Sequence, residues 1–87
     1  MKIKEGFMLK NIAGANVVVP VGSNTVSFRS VITLNESGAF LWKQLENDTT
    51  KEKILEAMLS EYDVDQATAQ ADIDEFVEML QKADLLQ

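Results

Sequence analysis

Carboxylates are the side chains of this sequence that could do chemistry, because the chain contains no cysteine and no histidine. This composition excludes thiol chemistry, the usual tetrahedral zinc sites and the commonest base near neutral pH. The last third of the chain contains eight acids and one basic residue, Lys82. The acids are Glu61, Asp63, Asp65, Asp72, Asp74, Glu75, Glu78 and Asp84. Nothing in their spacing indicates an apolar pocket that would raise the pKa of one of them for acid-base work. We therefore interpret them as a solvated acidic face and expect no catalysis.

Three of these acids have part of the spacing of a calcium-binding loop. Asp63, Asp65 and Asp74 fall at positions one, three and twelve of such a loop. Ala67 and Thr68 occupy the positions where a further ligand and the glycine belong. We therefore predict no metal site.

Ser37 is the other residue that could carry a group. A serine beside Glu36 in a small acidic chain could suggest a carrier protein with a phosphopantetheine serine. The Asp-Ser-Leu setting of such proteins is missing, and three predicted strands precede the residue. Ser37 is better interpreted as a residue of the first turn of a helix, and no cofactor is predicted.

Length and composition favour one domain, residues 1–87, because the chain has 87 residues and 46% of them are hydrophobic. The N-terminus has no apolar segment typical of a signal peptide, and no apolar run approaches the ~20 residues that span a bilayer. We therefore expect a cytoplasmic protein without membrane contact. The net charge of −6, concentrated in the last helix, argues against a nucleic-acid partner.

The chain is organised around residues 34–45, where a β-like half changes into a helical half. Asn35 is placed to cap a helix, and apolar residues then recur along one side of it. Gly38 in the first turn indicates a close contact with another part of the chain. Trp42 is expected to be buried.

Three strands are predicted before this helix. The first covers residues 7–12, and a turn with positive φ follows at residues 13–16. The second is short, residues 17–19, and Pro20 should end it or place it at an edge. After a polar loop at residues 21–25, the third strand covers residues 26–33, with Phe28 and Ile32 directed inward.

Two further helices are predicted after the junction helix. The first runs over about residues 50–61, with a capping box from Thr49 to Glu52. Its buried stripe consists of Ile54, Leu55, Met58 and Leu59. The second, capped by Asp65, continues through residue 66 to about residue 83. Its stripe consists of Ala69, Ile73, Phe76, Val77 and Leu80, after which Leu85 and Leu86 fold back. The fold class is therefore α+β.

Several segments together resemble one family. They are Leu-Asn-Glu-Ser-Gly-Ala-Phe-Leu-Trp at residues 34–42, Thr49-Thr50 with Ile54 and Leu55, Glu-Tyr-Asp-Val-Asp at residues 61–65, Asp72-Ile73-x-x-Phe76-Val77-x-x-Leu80, and the terminal Leu85-Leu86. On these motifs the chain, from about residue 7 to residue 86, is similar to the PqqD family of pyrroloquinoline quinone biosynthesis. The resemblance implies a winged-helix-like domain with a three-stranded antiparallel β-sheet at the N-terminus followed by three helices.

The resemblance also implies a function without catalysis. Such a domain, a RiPP recognition element, binds the leader of a ribosomally synthesised precursor peptide. It then acts as a peptide chaperone that presents the precursor to a modifying enzyme, often a radical S-adenosylmethionine (SAM) protein. The expected partners are therefore the leader peptide and that enzyme.

The family's binding mode is strand addition along the third strand, in a groove beside the third helix. Met79 extends the apolar stripe of that helix sideways toward Asp72 and Glu75, so this flank is both apolar and acidic. The predicted peptide-binding residues are Phe28, Arg29, Ser30, Val31, Ile32, Thr33, Asp72, Glu75, Phe76 and Met79.

Two other functional classes stay open at this point. One is a winged-helix transcription regulator, whose recognition helix would be residues 66–83 and would carry one basic residue, the wrong sign for DNA. The other is a general protein-interaction adaptor. A homodimer also stays open, because an exposed strand edge pairs with a second copy as readily as with a leader.

Overall fold

The computed structural model describes residues 1–21 and 32–87 of the chain. The elements, in chain order, are β1 (Phe7–Ile12), β2 (Ala15–Pro20), β3 (Ile32–Leu34), α1 (Glu36–Leu45), α2 (Lys51–Glu61) and α3 (Gln66–Lys82). The strands form an antiparallel sheet in the order β1-β2-β3. The predicted α+β class, with three strands followed by three helices, is confirmed.

The β1–β2 hairpin turns through two residues rather than over the whole predicted stretch. Ala13 and Gly14 both have positive φ, 52° and 85°, which is the backbone form that matches the twist of a tight hairpin. Ala15 and Asn16 already belong to β2, which pairs with β1 from Ala15 opposite Ile12. The turn was predicted in the right place but two residues too long.

Strand β2 differs from its prediction in length and in position. It has six residues and lies in the middle of the sheet, so the prediction of a short strand was wrong, and so was the alternative of an edge strand. Pro20 does end the strand, as predicted. The described pairing of β2 with β3 involves Asn16, Val17 and Val18.

Strand β3 covers three of the described residues, Ile32–Leu34. Of the predicted residues 26–33, Ile32 and Thr33 are in the strand, which continues to Leu34. The earlier part of the predicted strand, including Phe28, lies outside the described residues. Leu34 is buried, whereas Thr33 is exposed, so the core side of the strand is set by alternation.

Helix α1 follows the prediction closely. The side chain of Asn35 caps it by accepting a hydrogen bond from the backbone N–H of Gly38 at 2.8 Å. Trp42 is 1% exposed and Leu45 is fully buried. α1 therefore carries the centre of the core between the sheet and the other two helices.

The two later helices are capped by side chains that satisfy N–H groups of the first turn. Asp65 caps α3, as predicted, by accepting from the N–H of Thr68 at 2.7 Å, and this bond lowers the pKa of Asp65. For α2 the cap is Thr50, which accepts from the N–H of Lys53. The predicted capping box from Thr49 was therefore one residue early.

The buried stripes of the helices were largely predicted. All five stripe residues of α3 are buried, as are Ile54 and Met58 of α2. Leu59 is 37% exposed, so its predicted burial was wrong. Within the described ranges, no helix is long and apolar enough to cross a membrane.

The two ends of the chain lie side by side. Ile3 forms an antiparallel bridge with Leu86, and the N–H of Lys4 donates to the carbonyl of Leu85 at 2.8 Å. Leu85 is fully buried. The predicted return of the last residues onto the core is confirmed.

Candidate functional site

A surface groove of about 200 Å³ lies between the start of α1 and the middle of α3. Its lining residues are Asn35, Ser37, Gly38 and Leu41 from α1 and its cap, and Asp72, Glu75, Phe76 and Met79 from α3. Leu41 and Phe76 are buried, whereas Met79 is half-buried and so offers part of its side chain to a ligand. The groove therefore has an apolar floor and a polar rim.

The α1 wall of the groove depends on a glycine. A Cβ atom placed on Gly38 would lie 3.1 Å from the capping oxygen of Asn35 and 3.3 Å from the Cβ of Leu34. These distances are shorter than ordinary van der Waals contacts, so a side chain at this position would push the cap and the end of β3 away. Gly38 thus lets the first turn of α1 approach the strand that precedes it.

Replacing Gly38 by alanine should lower the free energy of unfolding by about 1 kcal/mol, because crowding outweighs the gain of about 1 kcal/mol in helix propensity. Urea denaturation followed by circular dichroism measures the change. Ser60→Ala, at an exposed position of α2, is the control and should stay within about 0.5 kcal/mol. A Gly38→Ala protein more stable than wild type would show that the neighbours give way easily.

The α3 wall is a single face of that helix. Asp72, Glu75, Phe76 and Met79 are spaced i, i+3, i+4 and i+7, which places them on one side. This face adjoins the buried stripe of α3, and Phe76 belongs to both.

The acids of α3 divide into two groups by their partners. Asp74 accepts hydrogen bonds from Lys51 and Gln70, both at 3.0 Å, and the bond from Lys51 is the largest cause of its lowered pKa. Glu78 pairs with Lys82 at 3.1 Å. The two acids that line the groove are in neither pair.

Asp72 and Glu75 have no cationic partner in the part of the chain that the structure describes. Asp72 is half-buried and Glu75 is exposed. Among the described residues, the rim of the groove is therefore negative and has no paired cation. This favours a positively charged group on a ligand that occupies the groove.

One hydrogen bond shows which backbone N–H and C=O groups of β2 face β1 and which face β3. The N–H of Val21 donates to the carbonyl of Gly6 at 2.8 Å, toward the β1 side. Because successive residues of a strand direct their backbone groups to opposite edges, Asn16 and Val18 direct theirs toward β3.

This alternation also determines which backbone groups of β3 face β2. Leu34 lies opposite Asn16, and Ile32 lies opposite Val18, so both exchange backbone hydrogen bonds with β2. Thr33, between them, directs its N–H and C=O away from β2. This edge of β3 is not paired with any other strand of the described residues.

The predicted site residues fall into two groups. Ile32 and Thr33 lie in β3, and Asp72, Glu75, Phe76 and Met79 lie together on the groove. Phe28, Arg29, Ser30 and Val31 lie outside the described residues. The sequence did not indicate the α1 wall, although the close contact it predicted at Gly38 is confirmed and was the available signal.

A comparison with protein-family models identifies the family of this chain. The family model described as coenzyme PQQ synthesis protein D (PqqD) matches residues 17–86. The chain belongs to the PqqD family. A search of curated proteins found no match.

A solved structure is similar to this PqqD-family chain over its whole length. It is TbiB1 in complex with the TbiA(beta) leader peptide, with 26% sequence identity and a TM-score of 0.77. The similarity covers 100% of this chain and 95% of that one. The recognition of the family from its motifs is thus confirmed.

The chemistry of the site in this PqqD-family chain is that of binding. Residues 1–21 and 32–87 contain no group of three or more acids that could hold a metal ion. Of the acids that suggested a calcium loop, Asp65 caps α3 and Asp74 binds Lys51. An unpaired strand edge beside an apolar, acidic groove can bind an extended peptide through both backbone and side chains.

Proposed function

We propose that this chain captures the leader of a ribosomally synthesised precursor peptide by strand addition to β3. In this proposal the leader presents its backbone to Thr33 and its side chains to the groove between α1 and α3. The chain performs no chemistry itself and presents the precursor to a modifying enzyme, of the radical SAM type.

The observation that carries the proposal is the edge of β3 that no other described strand pairs with. The last residue of this strand, Leu34, directly precedes Asn35, which lines the groove. Exposed strand edges are templates for an added strand, and natural proteins usually protect them. Membership of the PqqD family and the similarity to TbiB1, whose structure holds a leader peptide, support a leader peptide as the ligand.

No observation favours the transcription regulator. Its recognition helix would be α3, in which Asp72, Asp74, Glu75 and Glu78 oppose Lys82. Phosphate contacts depend on clustered Lys and Arg, so this helix would repel a duplex.

Replacing Met79 by glutamate should weaken leader binding on the order of tenfold or more, because a charge would then face the apolar part of the leader. The probe is a synthetic leader, titrated by calorimetry at constant salt. Its sequence is taken from a small peptide that the chain captures from its native host, identified by mass spectrometry.

Leu59→Glu is the matched control for this variant. It makes the same kind of change at an exposed apolar position of α2, away from the groove residues. Its affinity should equal that of wild type, and circular dichroism should show both variants folded. Equal affinity of folded Met79→Glu and wild type would mean that the leader uses another surface, and the groove would have to be abandoned as the site.

A further inference from the structure

Two acids line the groove, Asp72 and Glu75, and are called the groove acids below. They indicate which peptide sequence the groove selects, an inference that rests on the proposed function. We infer that the bound segment carries a lysine or arginine two residues away from a large apolar residue. The apolar side chain packs on Phe76 and Met79, and the basic side chain binds Asp72 and Glu75.

The charges on α3 support this assignment. Asp74 and Glu78, on the same helix, are neutralised by Lys51 and Lys82. The groove acids have no such partner among residues 1–21 and 32–87, so their charge is available to a ligand. Asp72 is also half-buried, and partial burial reduces the screening of such a charge by salt.

The spacing follows from the geometry of the two backbones. The acidic pair is centred about four residues before the apolar pair, which is roughly 6 Å along a helix that rises 1.5 Å per residue. In an extended peptide, side chains on one face are two residues and about 6.6 Å apart. A segment lying along α3 therefore meets both pairs with side chains at positions i and i+2.

A displayed library of random twelve-residue peptides, selected on the immobilised full chain, tests the inference. Peptides enriched on wild type should carry Lys or Arg two positions from Leu, Ile, Met, Phe, Tyr or Trp. An enriched peptide, synthesised and titrated, should bind the double variant Asp72→Asn/Glu75→Gln about three- to tenfold more weakly. Its affinity for wild type should also fall between about 50 mM and about 500 mM salt.

The matched control is Asp74→Asn/Glu78→Gln. It removes the same two charges from the same helix but outside the groove, so the peptide's affinity should change by less than about twofold. If both double variants lost the same affinity for the peptide, the loss would come from the overall negative charge of the protein. That result would overturn the inference.

Other outcomes separate the inference from the function on which it rests. Enriched peptides with the apolar residue but no basic preference, whose binding is weakened by Met79→Glu, would overturn the charge rule and leave peptide capture standing. An absence of enriched peptides, or binding that Met79→Glu leaves unchanged, would overturn both. A basic residue enriched at another spacing would overturn the orientation along α3 and, with it, the i, i+2 rule.

Discussion

Replacing Trp42 by alanine is expected to lower the free energy of unfolding by about 3–5 kcal/mol. The residue is 1% exposed and belongs to the core cluster shared by the sheet, the helices and the chain ends. Its removal leaves a cavity that these elements cannot fill without moving. Because a domain of this size has roughly 4–13 kcal/mol of stability, the variant should lose a large share of it.

Urea denaturation followed by far-ultraviolet circular dichroism measures this loss. Trp42→Phe is the control, since it keeps an aromatic ring in the core. The indole Nε1–H of Trp42 is buried without a hydrogen-bond acceptor in the described part of the chain. Phenylalanine therefore loses volume but no hydrogen bond, and we expect a cost of about 1–2 kcal/mol. A loss below about 1 kcal/mol for Trp42→Ala would contradict the central place of this ring.

The helical half of the fold could be predicted because its signals are local. The caps Asn35 and Asp65 sit immediately before amphipathic runs, and a capping side chain satisfies N–H groups only two or three residues away. The stripe of α3 was correct because it repeats over about three turns of helix. The cap of α2 was misplaced because Thr49 and Thr50 are adjacent and have the same capping chemistry.

The β half was harder to predict, because its structure depends on which strands become neighbours. Pro20 suggested an edge strand, but β2 pairs with β1 on one side and with β3 on the other. Nothing local in the sequence of β2 shows that a second strand pairs with it. Leu59 has the spacing of a buried residue, yet the core does not extend far enough around α2 to cover it.

The candidate site was predictable only on one wall. Residues of a single helix face can be grouped from spacing alone, so Asp72, Phe76 and Met79 were placed together before the fold was known. The opposite wall is formed by α1, and its approach to α3 is a result of tertiary packing. Gly38 indicated a close contact without indicating its partner, which proves to be the end of β3.

The second large effect is expected from Thr33→Pro, which should weaken leader binding on the order of tenfold to a hundredfold. Proline removes the N–H that faces the unpaired edge of β3, so a carbonyl of the added strand is left buried without a donor. The fold should survive, because proline is tolerated in an edge strand where the missing N–H points away from the sheet.

Two control variants, one at Thr33 and one at the neighbouring Ile32, accompany this prediction. The first separates the effect of the backbone N–H from that of the side chain, and the second separates loss of binding from loss of the fold. Thr33→Val keeps the N–H and nearly the same shape, so its affinity for the leader should stay within about twofold of wild type. Ile32→Pro removes an N–H that faces β2, so it should lower the free energy of unfolding by at least about 1 kcal/mol. Circular dichroism and urea denaturation establish which variants are folded, and calorimetric titration of the leader gives the affinities.

If folded Thr33→Pro bound the leader as tightly as wild type and Thr33→Val, strand addition at this edge would be ruled out. The groove would then have to hold the peptide through side chains alone.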